Sequence, residues 1–166
     1  MTGKEKLLQS AFEGSRRDLS RLLSMIERGE ELTIPEKEYD PDYMILGITG
    51  PPGVGKSTLV GRIISYWKDR GKKVAVLAID PSSPRTGGAL LGDRLRMDSA
   101  DSGEGVFVRS LSTRGNPGGI SASLMAMSRL LAYCGWEKII IETVGSGQSE
   151  LKIVAFADKI ILVDGP

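Results

Sequence analysis

Histidine is absent from this 166-residue sequence, and cysteine occurs once, at Cys134. Without histidine the chain holds neither a Ser-His or Cys-His catalytic pair nor a histidine-ligated zinc site. A single cysteine cannot form a disulfide within the chain and cannot by itself hold a metal cluster. Histidine-based hydrolysis is therefore excluded, and Cys134 is expected to be a small buried residue at a helix end.

The sequence also lacks an excess of charge and a long apolar run. Lysine and arginine together number 22, aspartate and glutamate 21, and the net charge is +1. This balance gives no reason to expect a nucleic-acid partner or a membrane surface. No stretch approaches the roughly 18 apolar residues of a membrane span, and the first residues form no cleavable apolar signal. The expectation is a cytoplasmic protein without membrane insertion.

One glycine-rich stretch stands out against this background. It begins at Gly50 and has the spacing of a phosphate-binding loop, which is a glycine, four free positions and then Gly-Lys-Ser. Residues 43–49 are typical of a buried strand, and residues 57–70 are typical of a helix that ends at Gly71. The candidate nucleotide-binding residues are Gly50, Pro51, Pro52, Gly53, Val54, Gly55, Lys56, Ser57 and Thr58.

The chemistry of such a loop explains the residue types at these positions. Glycine lets consecutive backbone N–H groups approach phosphate oxygens, and the following helix directs its positive end at the same anion. Lys56 would place a cation between the terminal phosphates, and the Ser57 hydroxyl would ligate Mg²⁺. A plain glycine-rich turn is the alternative, but the complete pattern with both flanks favours a nucleoside triphosphate site.

Apolar runs and helical stretches alternate along the rest of the chain. Further strands are predicted at 73–79, 105–109, 138–141 and 159–163, and helices at 120–134 and 149–157. The run at 73–79 shows no alternation, which is typical of a strand covered on both faces. Met125 and Met127 are predicted to fill the core. The pattern predicts an α/β fold of the P-loop NTPase type, with a mostly parallel sheet between two helical layers and an N-terminal helical segment before it.

The first forty residues are predicted to form a unit of their own. The aliphatic residues of 19–26 follow the spacing of one apolar stripe on a helix, and Gly29 would end that helix. The arginines among them are interpreted as a solvated face, with a partner surface as the less favoured alternative. We therefore predict an N-terminal helical extension and connector at 1–40 and a nucleotide-binding domain at 41–166.

Two acidic residues end predicted strands, at the edge where parallel sheets bind ligands. Asp80 follows the second strand and Glu142 the fourth, which places both beside the phosphate-binding loop. Asp80 could instead form a turn before Pro81 or cap a helix, and Glu142 could be an exposed strand end. Function is favoured for both: Glu142 is interpreted as the metal-side acid, and Gly145 would offer its backbone N–H to the terminal phosphate.

The stretch between Asp80 and Gly105 is long and irregular. Long loops in compact domains are commonly functional. Because this one begins beside the phosphates, it is predicted to be a switch that the γ-phosphate and Mg²⁺ order. Asp93 is a candidate Mg²⁺ ligand within it. The arginines of the stretch are equally well interpreted as phosphate contacts or as ordinary surface charge.

Three segments of the chain resemble the ArgK/MeaB family of P-loop GTPases. They are 47–58, 79–94 and 141–150, and the run at 16–27 is similar to the family's leading helix. The first segment is generic to phosphate-binding loops, whereas the other two together are specific to the family. The resemblance implies GTP hydrolysis coupled to a conformational switch, with GTP or GDP and Mg²⁺ as cofactors.

By motif position, the resemblance also implies roles for single residues and for two loops. The loops at 80–97 and 142–148 would be the nucleotide switches. Phosphate and Mg²⁺ would be bound by Lys56, Ser57 and Thr58. The metal ligands would be Ser57, Asp80, Asp93 and Glu142, and the catalytic groups Lys56, Glu142 and Gly145.

The same resemblance implies a protein partner. Family members look like chaperones of adenosylcobalamin-dependent acyl-CoA mutases of the methylmalonyl-CoA mutase type, and this role is preferred to an ATPase or kinase of basic amino-acid transport. A regulatory module that binds nucleotide without significant turnover, and a kinase with a separate acceptor, are the alternatives in other classes. Gln148 is a weak candidate for orienting water, so slow intrinsic hydrolysis is expected.

One motif of the family is missing from the sequence. The guanine-reading Asn-Lys-x-Asp motif does not occur, and the family's C-terminal dimerisation segment is not found either. We therefore expect the chain to be the N-terminal part of a longer protein, with a nucleotide-binding domain incomplete at its C-terminus; the less favoured alternative is a truncated relative with weak base selectivity. The full-length protein is expected to be a homodimer, and a preference for guanine over adenine does not follow from these residues.

Overall fold

The computed structural model describes residues 2–38, 40–80, 104–112, 119–143, 153 and 155–165, apart from the side chains at 80, 112 and 119–121. In that part of the chain the helices are α1 (Gly3–Phe12), α2 (Arg16–Glu27), α3 (Lys56–Lys68) and α4 (Gly119–Tyr133). The strands are β1 (Met44–Thr49), β2 (Val74–Asp80), β3 (Val106–Ser112), β4 (Lys138–Thr143) and β5 (Lys159–Leu162). These bounds confirm the predicted elements to within a few residues, and the helix predicted at 149–157 lies largely outside the described residues.

The strands in the described part of the chain form one parallel sheet in the order β3-β2-β4-β1-β5. The inner strands are almost wholly apolar because both of their faces are covered. Within β4, Glu142 lies between Ile48 of β1 and Ala78 of β2. The strand order therefore brings the carboxyl ends of β1, β2 and β4 together, at the edge where ligands bind in such sheets. The predicted α/β fold with a mostly parallel sheet is confirmed.

Helices form a layer on each face of the sheet. On one face, strand side chains pack against Val60 and Trp67 of α3. On the other face, a larger hydrophobic cluster joins the strands to α1, α2 and α4. Met127 of α4 is buried in this cluster, whereas Met125 is 48% exposed, so the prediction of a core position for Met125 was wrong. Residues two apart on a helix point in nearly opposite directions and cannot share one apolar face.

The N-terminal helices pack on the same face as α4. Thr2 and Glu5 form a capping box at the start of α1, and the Ser15 side chain caps α2. The apolar stripe predicted for 19–26 is confirmed, because its four aliphatic side chains are buried in the larger cluster. Gly29 follows α2 with φ +82° and its N–H donates to the carbonyl of Ile26, as predicted for a helix end. The domain boundary at residue 40 stays a prediction.

One arginine attaches α2 to the sheet. The guanidinium of Arg109, on β3, donates to the Ser20 carbonyl at 3.1 Å, to Ser24 Oγ at 2.9 Å and to Glu27 Oε2 at 2.8 Å. Both members of the Arg109–Glu27 ion pair are largely shielded from water. This contact holds the charged side chain on a face that is otherwise apolar, because its two terminal nitrogens donate to carbonyl, hydroxyl and carboxylate acceptors, whereas Nε is buried without a partner among the described residues. None of the described helices combines the length and the apolar character needed to span a bilayer.

Candidate nucleotide-binding site

The glycine-rich stretch connects β1 to α3, as its sequence context predicts. Gly50, Gly53 and Gly55 have φ values of +141°, +81° and +98°, which side-chain-bearing residues adopt only with strain. Gly50 also has a steric reason to be glycine, since a Cβ there would lie 1.9 Å from the carbonyl oxygen of Val163. The loop is thus seated against the chain that leaves β5, and Val163 N–H donates to the Thr49 carbonyl at 2.8 Å.

Lys56 is the first residue of α3 and points back into this loop. Only 6% of it is exposed, and its Nζ donates to the carbonyl oxygens of Gly50 at 2.7 Å and Pro51 at 2.6 Å. Gly55 precedes the helix and has no side chain to cap it, so the N-cap residue does not compete for the first N–H groups of α3. A buried ammonium and uncapped helix N–H groups at one loop make a site for an anion.

Ser57 and Glu142 meet on the α3 side of the sheet. Ser57 Oγ donates to Glu142 Oε1 at 3.0 Å, and the Glu142 side chain is completely buried. Its second oxygen, Oε2, has no hydrogen-bond partner among the described residues. Burial raises the pKa of the Glu142 carboxyl above its usual range, against the opposing effects of the Ser57 hydrogen bond and the Lys56 charge. A buried carboxyl group with one free oxygen is stabilised by a cation, a hydrogen-bond donor or a proton at that oxygen.

The donor set at this position fits a magnesium ion. Mg²⁺ prefers oxygen ligands and commonly takes one or two carboxylates together with phosphate oxygens. Ser57 and Glu142 supply a hydroxyl and a carboxylate, and the orphaned Oε2 is the atom that such an ion would satisfy. No group of three or more histidine, cysteine, aspartate or glutamate residues suited to a metal occurs within the described ranges. A purely protein-built metal cage is thus not seen in that part of the chain.

The other predicted site residues are placed unequally by the structure. The backbone of Asp80 ends β2, next but one in the sheet to β1, but its side chain is not among those described. Asp93 and Gly145 lie outside the described residues, as do residues 81–97 and 144–148 of the two predicted switch segments. Among the predicted residues, the structure therefore brings together the loop from 50 to 58 and Glu142.

Most of the chain matches one known protein family. Residues 39–166 match the sequence profile of the family described as methylmalonyl Co-A mutase-associated GTPase MeaB. The chain belongs to the MeaB family. The matched span holds the glycine loop, α3 and Glu142, so the resemblance based on three sequence segments is confirmed.

Individual relatives agree with the MeaB assignment. A protein of Pyrococcus abyssi, provisionally named as a GTPase, is 44% identical over 166 residues, which cover 98% of this chain and 51% of the relative. The mitochondrial methylmalonic aciduria type A homolog of Caenorhabditis elegans is 34% identical over 181 residues, covering 98% and 45%. The crystal structure of a LAO/AO transport system kinase matches with a TM-score of 0.70 at 25% identity, over 99% of this chain and 51% of that one. The chain thus spans about half the length of the relatives it matches.

Two hydroxyl groups at the site of this MeaB chain were not found from the sequence. Thr143 Oγ1 donates to Thr49 Oγ1 at 3.0 Å, and both side chains are buried. Each threonine is the last residue of a strand with an apolar middle, and that shared position is the signal in the sequence. The pairing itself depends on β1 and β4 being neighbours, which the order of elements along the chain does not reveal.

Proposed function

We propose that this chain is the nucleotide-binding part of a Mg²⁺-dependent switch that binds and hydrolyses GTP and acts as chaperone of an adenosylcobalamin-dependent acyl-CoA mutase. The observation that carries the nucleotide site is the hydrogen bond from Ser57 to the buried Glu142, beside Lys56 and the uncapped start of α3. The mutase partner is supported by the description of the family, methylmalonyl Co-A mutase-associated GTPase.

Each part of the site has a distinct task in this proposal. The N–H groups of residues 50–58 bind phosphate oxygens. Lys56 gives up a hydrogen bond to a loop carbonyl and donates to the terminal phosphates instead. Ser57 and Glu142 hold Mg²⁺, which when bound neutralises charge on the phosphates. Asp80 and Asp93 complete the acidic shell around the ion, and the N–H of Gly145 contacts the γ-phosphate.

Hydrolysis in this proposal is slow for the chain alone. Phosphoryl transfer to water depends on positioning and on charge stabilisation, and the attacking water must be oriented by a further group. Lys56 supplies charge to the transferred group, while the mutase partner is proposed to complete the orientation of water. Binding of the partner would then raise turnover by coupling the switch segments at 80–97 and 142–148 to the γ-phosphate.

The first test is a titration of this chain with fluorescent GDP and ADP, with and without Mg²⁺. We expect binding that strengthens with Mg²⁺ and is tighter for GDP, and a Lys56→Ala variant that keeps its fold but loses most affinity. Unchanged affinity in that variant would remove the proposed phosphate site. Equal, weak binding of GDP and ADP would keep the phosphate site and reject guanine recognition by this part of the protein.

A second candidate function is favoured by the name of the matched crystal structure, LAO/AO transport system kinase. A kinase would place phosphate on an acceptor, whereas a GTPase releases it to water, so a radiolabelled γ-phosphate distinguishes the two. A regulatory module would bind nucleotide with the same Mg²⁺ dependence but would show no phosphate release, with or without a mutase.

The cytoplasmic location and the homodimer of the full-length protein are part of this proposal and stay predictions.

A further inference from the structure

Two side-chain hydrogen bonds reach the end of β4 at the site, one on each face of the sheet. Ser57 and Glu142 meet on the face of the sheet that α3 covers. Glu142 lies two residues after Ile140, which packs in the hydrophobic cluster with α3, and residues two apart on a strand share a face. Thr49 directly follows Ile48 on β1, and Thr143 directly follows Glu142 on β4, so both threonines point to the opposite face. The hydroxyl pair is therefore separate from the atoms proposed to contact nucleotide or Mg²⁺.

The hydroxyl pair lies where the backbone pairing of the two strands stops. The register of β1 with β4 runs from Met44 and Lys138 to Ile48 and Glu142. Beyond it, the bond from Thr143 to Thr49 is the next link between the strands, with both side chains buried. At this point Thr49 pairs with Leu162 of β5 and Thr143 with Ile79 of β2, so the buried hydroxyl–hydroxyl bond links two strand ends that no longer pair with each other.

The two strand ends carry different halves of the site. Thr49 is followed by Gly50, whose carbonyl accepts from Lys56, so β1 leads into the phosphate half. Thr143 is preceded by Glu142, whose carboxylate accepts from Ser57, so β4 carries the acidic half. A shift of one strand end against the other would change the distance between the carboxylate and the loop while leaving each half intact.

We propose that Thr143 is a positioning residue, which holds Glu142 in register with the phosphate-binding loop through Thr49 and so sets the Mg²⁺-dependent part of nucleotide affinity. This inference rests on the proposed function, because it assumes that Ser57 and Glu142 act together on the ion. Loop N–H groups and Lys56 bind phosphate without needing Glu142. Loss of the hydroxyl pair therefore affects binding with Mg²⁺ and spares binding without it.

The test compares the affinity for fluorescent GDP in Mg²⁺ and in EDTA for wild type, Thr143→Val and Thr143→Ser. Valine keeps the shape and removes the donor, whereas serine keeps the hydroxyl. One buried hydrogen bond corresponds to roughly a five- to tenfold change in affinity. We expect Thr143→Val to lose about that factor in Mg²⁺ and less than about twofold in EDTA. Thr143→Ser should restore most of the Mg²⁺ effect.

Two further variants separate positioning from general stability. Thr49→Val removes the acceptor from the other end and should reproduce the loss in Mg²⁺, which keeps the test open if Thr143→Val fails to fold. Ser128→Ala is the matched control: Ser128 is 1% exposed on α4, its hydroxyl has no partner among the described residues, and we expect no change in either condition.

Three results would overturn the inference. They are equal losses in Mg²⁺ and EDTA for Thr143→Val, wild-type affinity in Thr49→Val, and a serine variant no better than valine. If wild type itself shows no Mg²⁺ effect, the proposed function fails and this inference fails with it, and that outcome is recognised before any variant is made.

Discussion

Replacing Gly50 by alanine tests how closely the phosphate-binding loop is seated against β5. The new Cβ would lie 1.9 Å from the Val163 carbonyl oxygen and 2.9 Å from its carbon, and both are backbone atoms that no rotamer change can move. The residue would also keep φ +141°, at a cost of about 1–3 kcal/mol for a residue with a side chain. Displacing Val163 breaks its 2.8 Å hydrogen bond to Thr49, which adds about 1 kcal/mol. We therefore expect a destabilisation of about 2–4 kcal/mol.

Urea denaturation of the nucleotide-free chain measures this effect directly. The control is Gly61→Ala, because Gly61 is an exposed position inside α3 where an added Cβ meets no atom within 4 Å. Alanine there should raise the free energy of unfolding by up to about 1 kcal/mol through helix propensity. If Gly50→Ala proves as stable as wild type, the close approach of Val163 to the loop is refuted, and with it the reason given for glycine at position 50.

Three further outcomes are expected. Glu142→Gln should lose the Mg²⁺-dependent gain in GDP affinity. Burial raises the pKa of the Glu142 carboxyl in the folded state above 4.5, so wild type should also lose stability relative to this variant as pH rises through that folded-state pKa. Thermal melts of the two proteins that change with pH in the same way would contradict this. Arg109→Ala should lower the free energy of unfolding by about 2–4 kcal/mol, since it removes the shielded ion pair with Glu27 together with the hydrogen bonds to Ser20 and Ser24. Arg21→Ala, at a more exposed ion pair, should cost less than about 1 kcal/mol. Burial raises the pKa of the Cys134 thiol to about 11, so iodoacetamide at pH 9 should alkylate the native chain at least about tenfold more slowly than the urea-unfolded chain.

The sheet and its helices could be predicted because local patterns determine them. Runs such as 73–79 are apolar without alternation, which reports burial on both faces, and the aliphatic spacing of 19–26 reports one buried helix face. The position of α1 and α2 on the α4 face could not be predicted in this way. It depends on which distant residues the apolar stripe meets in the core, and on Arg109, a residue more than eighty positions away from α2; neither contact has a local signature.

The site was predictable where backbone geometry imposes the residue type and unpredictable where side chains from distant strands meet. Lys56 and Ser57 follow from the loop spacing, and Glu142 follows from its place at a strand end. The Thr49–Thr143 pair requires knowing which strands are neighbours and in what register. Hydroxyl side chains fit many environments, so their presence at strand ends does not by itself indicate a contact.

The order of strands in this sheet also has a consequence for how the chain folds. β1 carries the start of the loop, yet its neighbours β4 and β5 come much later, and residues bonded across β1 and β4 are 94 positions apart. Closing such a long segment costs chain entropy before any pairing compensates for it, which slows folding. α1 and α2 pack on each other and can form while synthesis continues, but β1 stays unpaired until β4 has left the ribosome. The nucleotide loop is therefore one of the last parts to be completed, and a chain interrupted before β4 exposes an apolar strand to aggregation.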